Sequence, residues 1–346
     1  MKQFLIVGGG LAGLCLAEHL VNAGQKVTIC DKGNNKSSTI AAGLINPMVF
    51  RRMTKSWRLD EFIHYAKPFY QELAPKKKIL NPIIIRRFFA HEEEVHDWKK
   101  REELEDFQNY LYPLTDEDMR YAHPKTNNSF GTGRVKNAYW IDVKLFISEL
   151  TQVLKGKGVQ FYQEEVLERE IIADDFVFYG QRYDGIIFCA GYESVFSSLF
   201  PQKMINPTKG QVLTVHSIEI PNDESINRKC FVLPMQEGNF KIGSTYEWQN
   251  TDDTITEAGK SEILTMLSSL GDFDLELIDQ KAGIRPATYD RRPILGQHPD
   301  FEGIYIFNGL GTKGYLMAPL LAKEMTAFIL NGEAVHPETS LLRFMK

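Results

Sequence analysis

Arg285 sits in the run Ala282-Gly283-Ile284-Arg285-Pro286-Ala287-Thr288, a strand-like segment of small and apolar residues. A charge in such company needs a partner, because an unpaired buried ion is costly. Two readings stand side by side. A structural carboxylate could pair with it, and Asp290 is close enough in sequence to serve either Arg285 or Arg291. Alternatively the guanidinium waits for a ligand's carboxylate, which its planar fork would grip through two parallel hydrogen bonds. A second signature lies near the N-terminus, where Gly8-Gly9-Gly10-Leu11-Ala12-Gly13 follows an apolar stretch and Asp31 comes 18 residues after Gly13. Gly8 permits a tight turn, Gly10 lets backbone N–H groups approach a pyrophosphate, and Gly13 lets helix and strand pack closely. The helix end behind them offers unpaired N–H groups and about half a positive charge to phosphates. Asp31 is then placed for ribose hydroxyls. A third arrangement, Asn308-Gly309-Leu310-Gly311-Thr312-Lys313-Gly314, is a glycine loop opening another helix. A second helix N-terminus aimed at the same cofactor suits a flavin, whose reduced ring carries negative charge near N1 and C2=O. A capped surface helix is the plain alternative.

The elements that must hold these groups follow from hydrophobic periodicity. Lys2–Val7 and Lys26–Cys30 read as strands flanking a helix that runs to Gly24. Lys32–Ser38 reads as a polar loop, and Thr39–Pro47, rich in small residues, reads either as backbone that approaches a flat ligand or as a helix start with a glycine exit. Leu59, Phe62, Ile63, Ala66, Phe69, Tyr70 and Leu73 keep helical spacing, with a kink expected at Pro68. Pro82–Ala90 is strand-like, His91–Arg101 a charged helix, and Tyr110–Gly133 a turn-rich excursion. Asp142 is a candidate N-cap for a helix carrying Phe146, Leu150, Val153 and Leu154. Strands are expected at Val159–Tyr162, Glu165–Glu170, Phe176–Tyr179 and Gly185–Gly191. The last is fully apolar and ends in Cys189-Ala190-Gly191, as a buried parallel strand facing a ligand would. From Gln211 the period changes to alternating strands at Val212–Ile220, Cys230–Met235 and Phe240–Ser244. A helix over Thr256–Leu270, strands at Leu275–Ala287 and Gly303–Phe307, and a helix from Tyr315 to Leu330 complete the chain. The fold class expected is α/β with an α+β substrate part: a Rossmann-like domain interleaved with a mostly antiparallel one. The first would comprise 1–80, 140–205 and 280–346, and the second 81–139 and 206–279.

Composition narrows the function classes. A net charge of −5 supplies no global field for nucleic acid. Residues 51–101 are locally basic, with thirteen Lys or Arg against seven Asp or Glu, which reads as a solvated face or as a polyanion site. Cys15, Cys30, Cys189 and Cys230 have no CxxC spacing and suit buried free thiols in a reducing cytoplasm. The apolar start is interrupted by Glu18 and His19, unlike a signal peptide, and no apolar run approaches the ~20 residues that span a bilayer. None of the eight histidines has metal spacing; His298 reads as a surface residue, and no nucleophile triad is visible. A cytoplasmic protein without metal or membrane association is expected.

With these residues assembled, the chain resembles the FAD-dependent oxidoreductases of the D-amino-acid oxidase, glycine oxidase and sarcosine oxidase family. The resemblance covers nearly the whole length. It rests on the N-terminal fingerprint, Ala41-Ala42-Gly43-Leu44, Cys189-Ala190-Gly191, Pro207-Thr208-Lys209-Gly210-Gln211, Ile242-Gly243-Ser244-Thr245, the Arg285 segment with Asp290, and the C-terminal glycine loop. It implies non-covalent FAD, because no cysteine stands near Arg285 to tether it. The cofactor contacts implied are Gly8, Gly10, Leu11, Ala12, Gly13, Asp31, Lys32, Cys189, Ala190 and Gly191. Ser38, Thr39, Ala42, Gly43 and Leu44 would line the flavin, Val166 the adenine, and Gly311, Thr312, Lys313, Gly314, Tyr315 and Leu316 the pyrimidine edge, with Arg285 beside the ring. Arg285 would bind a substrate carboxylate.

The resemblance further implies oxidation of the CH–NH bond of an amino acid or N-substituted glycine by hydride transfer to flavin N5, with O2 as acceptor. Tyr246 and Lys313 join Arg285 as candidate catalytic residues. Where amino-acid-oxidising relatives often carry an arginine in the C-terminal loop, this chain has Thr312 and Lys313. Gly309–Gly314 with Ala318-Pro319 looks closer to the flavin domain of the bifunctional enzyme that matures 5-methylaminomethyl-2-thiouridine in tRNA. That enzyme removes a carboxymethyl group from a secondary amine, so tRNA is a second candidate substrate. A flavin-binding protein without turnover and an NAD-dependent dehydrogenase are the remaining alternatives.

Overall fold

The computed structural model describes residues 1–33, 36–168 and 175–345. Two sheets organise it. In the first, strands Gln3–Val7, Lys26–Cys30, Gly185–Phe188, Ile304–Asn308 and Gln160–Tyr162 are parallel, and Ile294–Gln297 adds an antiparallel edge. Helices Leu11–Asn22 and Gly314–Asn331 pack on it and on each other. The central strands carry Leu5, Ile6, Ile186 and Ile187 with no exposure, as a sheet covered on both faces requires.

The second sheet has nine strands and is mostly antiparallel. Ile205–His216 pairs with Glu276–Thr288 along twelve Cα partners, and Asn239–Gly243, Phe231–Pro234, Ser225–Asn227, Leu80–Phe88 and Thr132–Ile141 extend the order. The chain passes repeatedly from one sheet to the other, so the late strands return to the first-built sheet and close it.

Several expectations are corrected here. Residues 36–40 are a short helix, so the polar loop after Asp31 ends earlier than its composition suggests. The strand expected from Val212 begins at Ile205, so Pro207–Gln211 lies within a strand. Its backbone pairs fully with Asn206↔Ala287 through Gln211↔Ala282. Glu165–Glu168 is not a strand, and residues 169 and 170 lie outside the described residues. His298 is buried, its Nε2 3.0 Å from the Leu199 carbonyl. Pro68 sits within the helix Leu59–Leu73, which continues through it. Asp142 does cap its helix, accepting from Leu145 N at 3.0 Å. Pro319 lies inside the last helix and cannot donate to the Tyr315 carbonyl four residues back, so Tyr70 Oη donates to it instead at 2.7 Å.

Within the basic run 51–101 five cations are held in ion pairs among the described residues: Lys55 with Asp60, Arg58 with Glu61 and Glu324, Lys77 with Glu149, Arg86 with Asp118 and Glu224, and Arg87 with Glu94. All four cysteines are free and buried, and burial pushes the Cys30 thiol up to about 11. Among the described residues, no helix is long and apolar enough to cross a membrane.

Candidate active site

The strand Gln3–Val7 delivers Gly8 with φ of +107°, a conformation that suits glycine. A Cβ there would lie 2.5 Å from the Cys189 carbonyl oxygen, and one on Gly13 would lie 2.0 Å from the Gly8 carbonyl oxygen. Backbone therefore packs on backbone at both positions. Asp31 braces the turn: its Oδ2 accepts from Gly9 N at 2.6 Å and its Oδ1 from Gly33 N at 2.7 Å. The helix opens at Gly10 without a side-chain cap, and Leu11 N donates to Ser38 Oγ at 3.0 Å.

These groups border a cleft of about 560 Å³, within the range of cofactor sites. Of the residues singled out, Gly8, Gly10, Leu11, Ala12, Asp31, Lys32, Ser38, Val166, Cys189, Ala190, Gly191, Gly311, Thr312, Gly314 and Tyr315 line it. Gly13 lies behind the turn. Gly43, with φ of +75°, packs against the Ile141 carbonyl, and Leu44 pairs with Trp140 in the second sheet. Thr39, Ala42, Gly43, Leu44, Lys313, Leu316 and Arg285 do not border the cleft. At one end Lys32 forms ion pairs with Glu165 at 3.3 Å and Glu193 at 2.9 Å. At the other, Pro286 and Gly311 line the wall, and Gly311 approaches Ala287. Asn308, expected only as the first residue of the C-terminal glycine loop, ties that loop to Gly191 O (2.8 Å) and Ser194 Oγ (2.7 Å).

Arg285 is half-buried on the strand next to Pro286. Its Nη2 donates to Ser244 Oγ at 2.6 Å and its Nη1 to the Thr245 carbonyl at 3.3 Å. The Tyr246 ring lies 4.5 Å from the guanidinium carbon. All three partners are neutral. Among the described residues no carboxylate pairs with Arg285; Asp290 accepts from Arg343 Nε at 2.7 Å instead. The guanidinium rests on Gly210, where a Cβ would sit 2.1 Å from Nη2. Burial lowers the Arg285 pKa, partly offset by Tyr246, yet a guanidinium stays protonated at neutral pH. The site thus presents a desolvated cation with N–H donors to spare.

Lys313 behaves differently. Its Nζ donates to the Asn46 carbonyl at 2.8 Å and to Ser56 Oγ, away from the cleft, and burial lowers its pKa to about 8. Lys241, which sequence reasoning did not single out, reaches the Ala41 carbonyl at 3.4 Å, its pKa also lowered by burial. Ser244, Thr245 and Gly210 were legible only as parts of short motifs, because their contact with Arg285 joins three separated strands. Among the described residues no group of His, Cys, Asp or Glu is arranged to hold a metal.

Residues 3–328 match the family model described as FAD dependent oxidoreductase. The glycine oxidase of Bacillus subtilis is 21% identical, over 96% of this chain and 94% of its own length. The tRNA 5-methylaminomethyl-2-thiouridine biosynthesis bifunctional protein MnmC of Acinetobacter baylyi is 24% identical over 99% of this chain but 55% of its own length. The solved iminodiacetate oxidase of Chelativorans sp. BNC1 superposes with a TM-score of 0.79, at 21% identity, over 99% of this chain and 98% of its own. The chain belongs to the FAD-dependent oxidoreductase family and is an enzyme whose cofactor is FAD.

Proposed function

We propose that this member of the amine and amino-acid oxidase group oxidises the CH–NH bond of an amino acid or N-substituted glycine held by its carboxylate on Arg285. The observation that carries this reading is the enclosed guanidinium whose protein partners are all neutral. A structural arginine in that setting would be expected to have an acidic partner.

The residues present fit the cofactor. The Gly8 and Gly13 contacts leave a turn that only glycine satisfies, which supports its use as a pyrophosphate cradle. Asp31, Lys32 and Val166 would hold the adenosine end, Cys189, Ala190 and Gly191 the middle, and Ser38, Gly311, Thr312, Gly314 and Tyr315 the ring end. In this reading 1–80, 140–205 and 280–346 form the cofactor part and the remainder the substrate part. When bound, FAD supplies the two-electron acceptor for hydride, with O2 the proposed final oxidant.

The chain's own residues do the rest. Ser244 Oγ and the Thr245 carbonyl fix the guanidinium plane, so that its remaining N–H groups meet a carboxylate without further ordering. Tyr246 covers one guanidinium face and keeps water from it. The amine reacts as the free base, so no general base is required of the chain. The positive end of the helix starting at Gly314 favours negative charge at the ring end of the cleft.

One observation favours a second reading. Tyr246 and Trp248 are 50% and 56% exposed, with ring centroids 6.1 Å apart beside Arg285. Such a surface would stack a planar group on the amine, as in a carboxymethylaminomethyl uridine of tRNA. The test is anaerobic bleaching of the bound flavin by glycine, sarcosine, iminodiacetate and modified tRNA, with peroxide measured on readmitting air. Bleaching by the small amines with peroxide release supports the first reading. Bleaching by tRNA alone, with salt-sensitive binding, replaces it with the second, and no bleaching by any of them removes both.

A further inference from the structure

Lys209 lies one strand away from Arg285 and faces the other side of the sheet. Thr208 is the Cα partner of Arg285 and so shares its face, and alternation turns Lys209 to the opposite one. Only 1% of Lys209 is exposed. Its ammonium reaches Asp252 Oδ2 at 3.3 Å and Glu247 Oε2 at 3.9 Å, carboxylates that are themselves 53% and 36% exposed. As a stability device this is poor, because burying an ammonium costs more than packing an apolar chain of similar volume. What the lysine does hold is one segment, residues 244–256.

The inner edge of that segment is the seat of Arg285: Ser244 Oγ, the Thr245 carbonyl and the Tyr246 ring. Its outer edge is fastened from the far face by Lys209 and by its neighbour Gln211. The Gln211 side chain donates to Thr256 Oγ1 at 2.9 Å and Glu247 Oε1 at 3.2 Å, and accepts from Thr256 N at 2.9 Å. Helix Glu257–Ser268 starts directly on this amide; a Cβ on Gly259 would lie 2.1 Å from Gln211 Nε2. The two faces of one strand therefore serve one purpose. The guanidinium lies on Gly210, and the residues on either side of Gly210 tie down the loop that aims it.

We propose that Lys209 is a positioning residue: by fixing residues 244–256 through Glu247 and Asp252, it holds Ser244 and Thr245 where they orient Arg285 toward the substrate carboxylate. This rests on the carboxylate-clamp reading of Arg285.

The experiment is calorimetric titration of the FAD-loaded enzyme with acetate, a carboxylate that cannot be oxidised at a C–N bond, together with thermal melting. Lys209→Met is expected to melt no lower than wild type, within about two degrees, because an apolar replacement relieves desolvation. It should bind acetate about tenfold more weakly through a misaimed charged hydrogen bond, and Lys209→Arg should restore the affinity. Wild-type affinity in a folded Lys209→Met overturns the proposal. Should that variant not fold, Asp252→Ala removes the partner from the surface side, and an unchanged acetate affinity there overturns it equally. If wild type itself binds no acetate and Arg285→Met changes nothing, the clamp reading has failed and this inference falls with it.

Discussion

The two ends of the working surface are built on opposite principles. The cleft beside Gly8 rests on close backbone contacts, with Gly8 and Gly13 in positions where a single carbon would collide with a carbonyl at 2.5 or 2.0 Å. The Arg285 site joins distant segments: the guanidinium comes from strand Glu276–Thr288, Gly210 beneath it from strand Ile205–His216, and Ser244 Oγ, the Thr245 carbonyl and the Tyr246 ring from the turn that follows Gly243. A backbone site tolerates no change at a few positions and is indifferent to most others. A side-chain site is tuned by many positions, each worth a modest amount. Two half-buried cations differ in the same way: Lys313 spends N–H groups on the Asn46 carbonyl and Ser56 Oγ, whereas Arg285 keeps some in reserve.

The contrast can be broken at its strongest point first. Gly13→Val forces a side chain into the Gly8 carbonyl and should give colourless protein destabilised by about 3 kcal/mol or more. A yellow, wild-type-like melting variant would show that the close approach does not matter. Next comes Lys313, whose pKa of about 8 lies below its ordinary 10.5. Between those values the unfolded chain binds more protons than the folded one, so stability should rise with pH from about 8 to 10.5, by at most about 3 kcal/mol. Lys313→Met should remove that rise and be the more stable protein at pH 7. Denaturant midpoints at pH 7, 8.5 and 10 check this, and a flat wild-type profile would contradict it.

Arg285→Met should raise KM for carboxylate-bearing amines by roughly ten- to a hundredfold, the ~1.5–3 kcal/mol of a charged hydrogen-bonded contact, while cofactor content stays unchanged. Gly210→Ala should act in the same direction by displacing the guanidinium, costing about 1–3 kcal/mol, again with the protein still yellow. Loss of cofactor in either variant would erase the division between the two regions. The smallest effect is expected from Asp290→Asn. Its partner is Arg343, and a pair this exposed contributes about 0–1 kcal/mol. Steady-state kinetics should show an unchanged KM; a rise like that of Arg285→Met would restore Asp290 as the arginine's partner.

The same contrast explains what could be read before the structure. The βαβ unit was legible because most of its constraints are local: Gly13 packs on the Gly8 carbonyl and Asp31 accepts from Gly9 N within one supersecondary unit, whereas the contact of Gly8 with the Cys189 carbonyl comes from a distant strand. Arg285 was legible as an arginine in apolar company, but its partner was not. Asp290, five residues on, is turned outward to Arg343 by a tail that folds back from the end of the chain. Gly210 and Ser244 are 75 and 41 positions from Arg285, and only the register of the long pair Ile205–His216 and Glu276–Thr288 brings them to it. The strand start at Ile205 was missed because Pro207 and Gly210 are residue types that ordinarily interrupt a strand interior. Proline is tolerated there opposite Pro286, and glycine leaves room for the guanidinium. His298 was misplaced for a similar reason, since nothing local marks the Leu199 carbonyl as its partner.

The most direct test of the central claim compares acids with their amides. Glycine, sarcosine and iminodiacetate, each alongside its carboxamide, would be mixed anaerobically with wild type and with Arg285→Met while flavin absorbance is followed. A clamp predicts that wild type is bleached at least about tenfold more efficiently by an acid than by its amide, reflecting one charged contact, and that Arg285→Met loses this preference. Equal bleaching of wild type by acid and amide would contradict it.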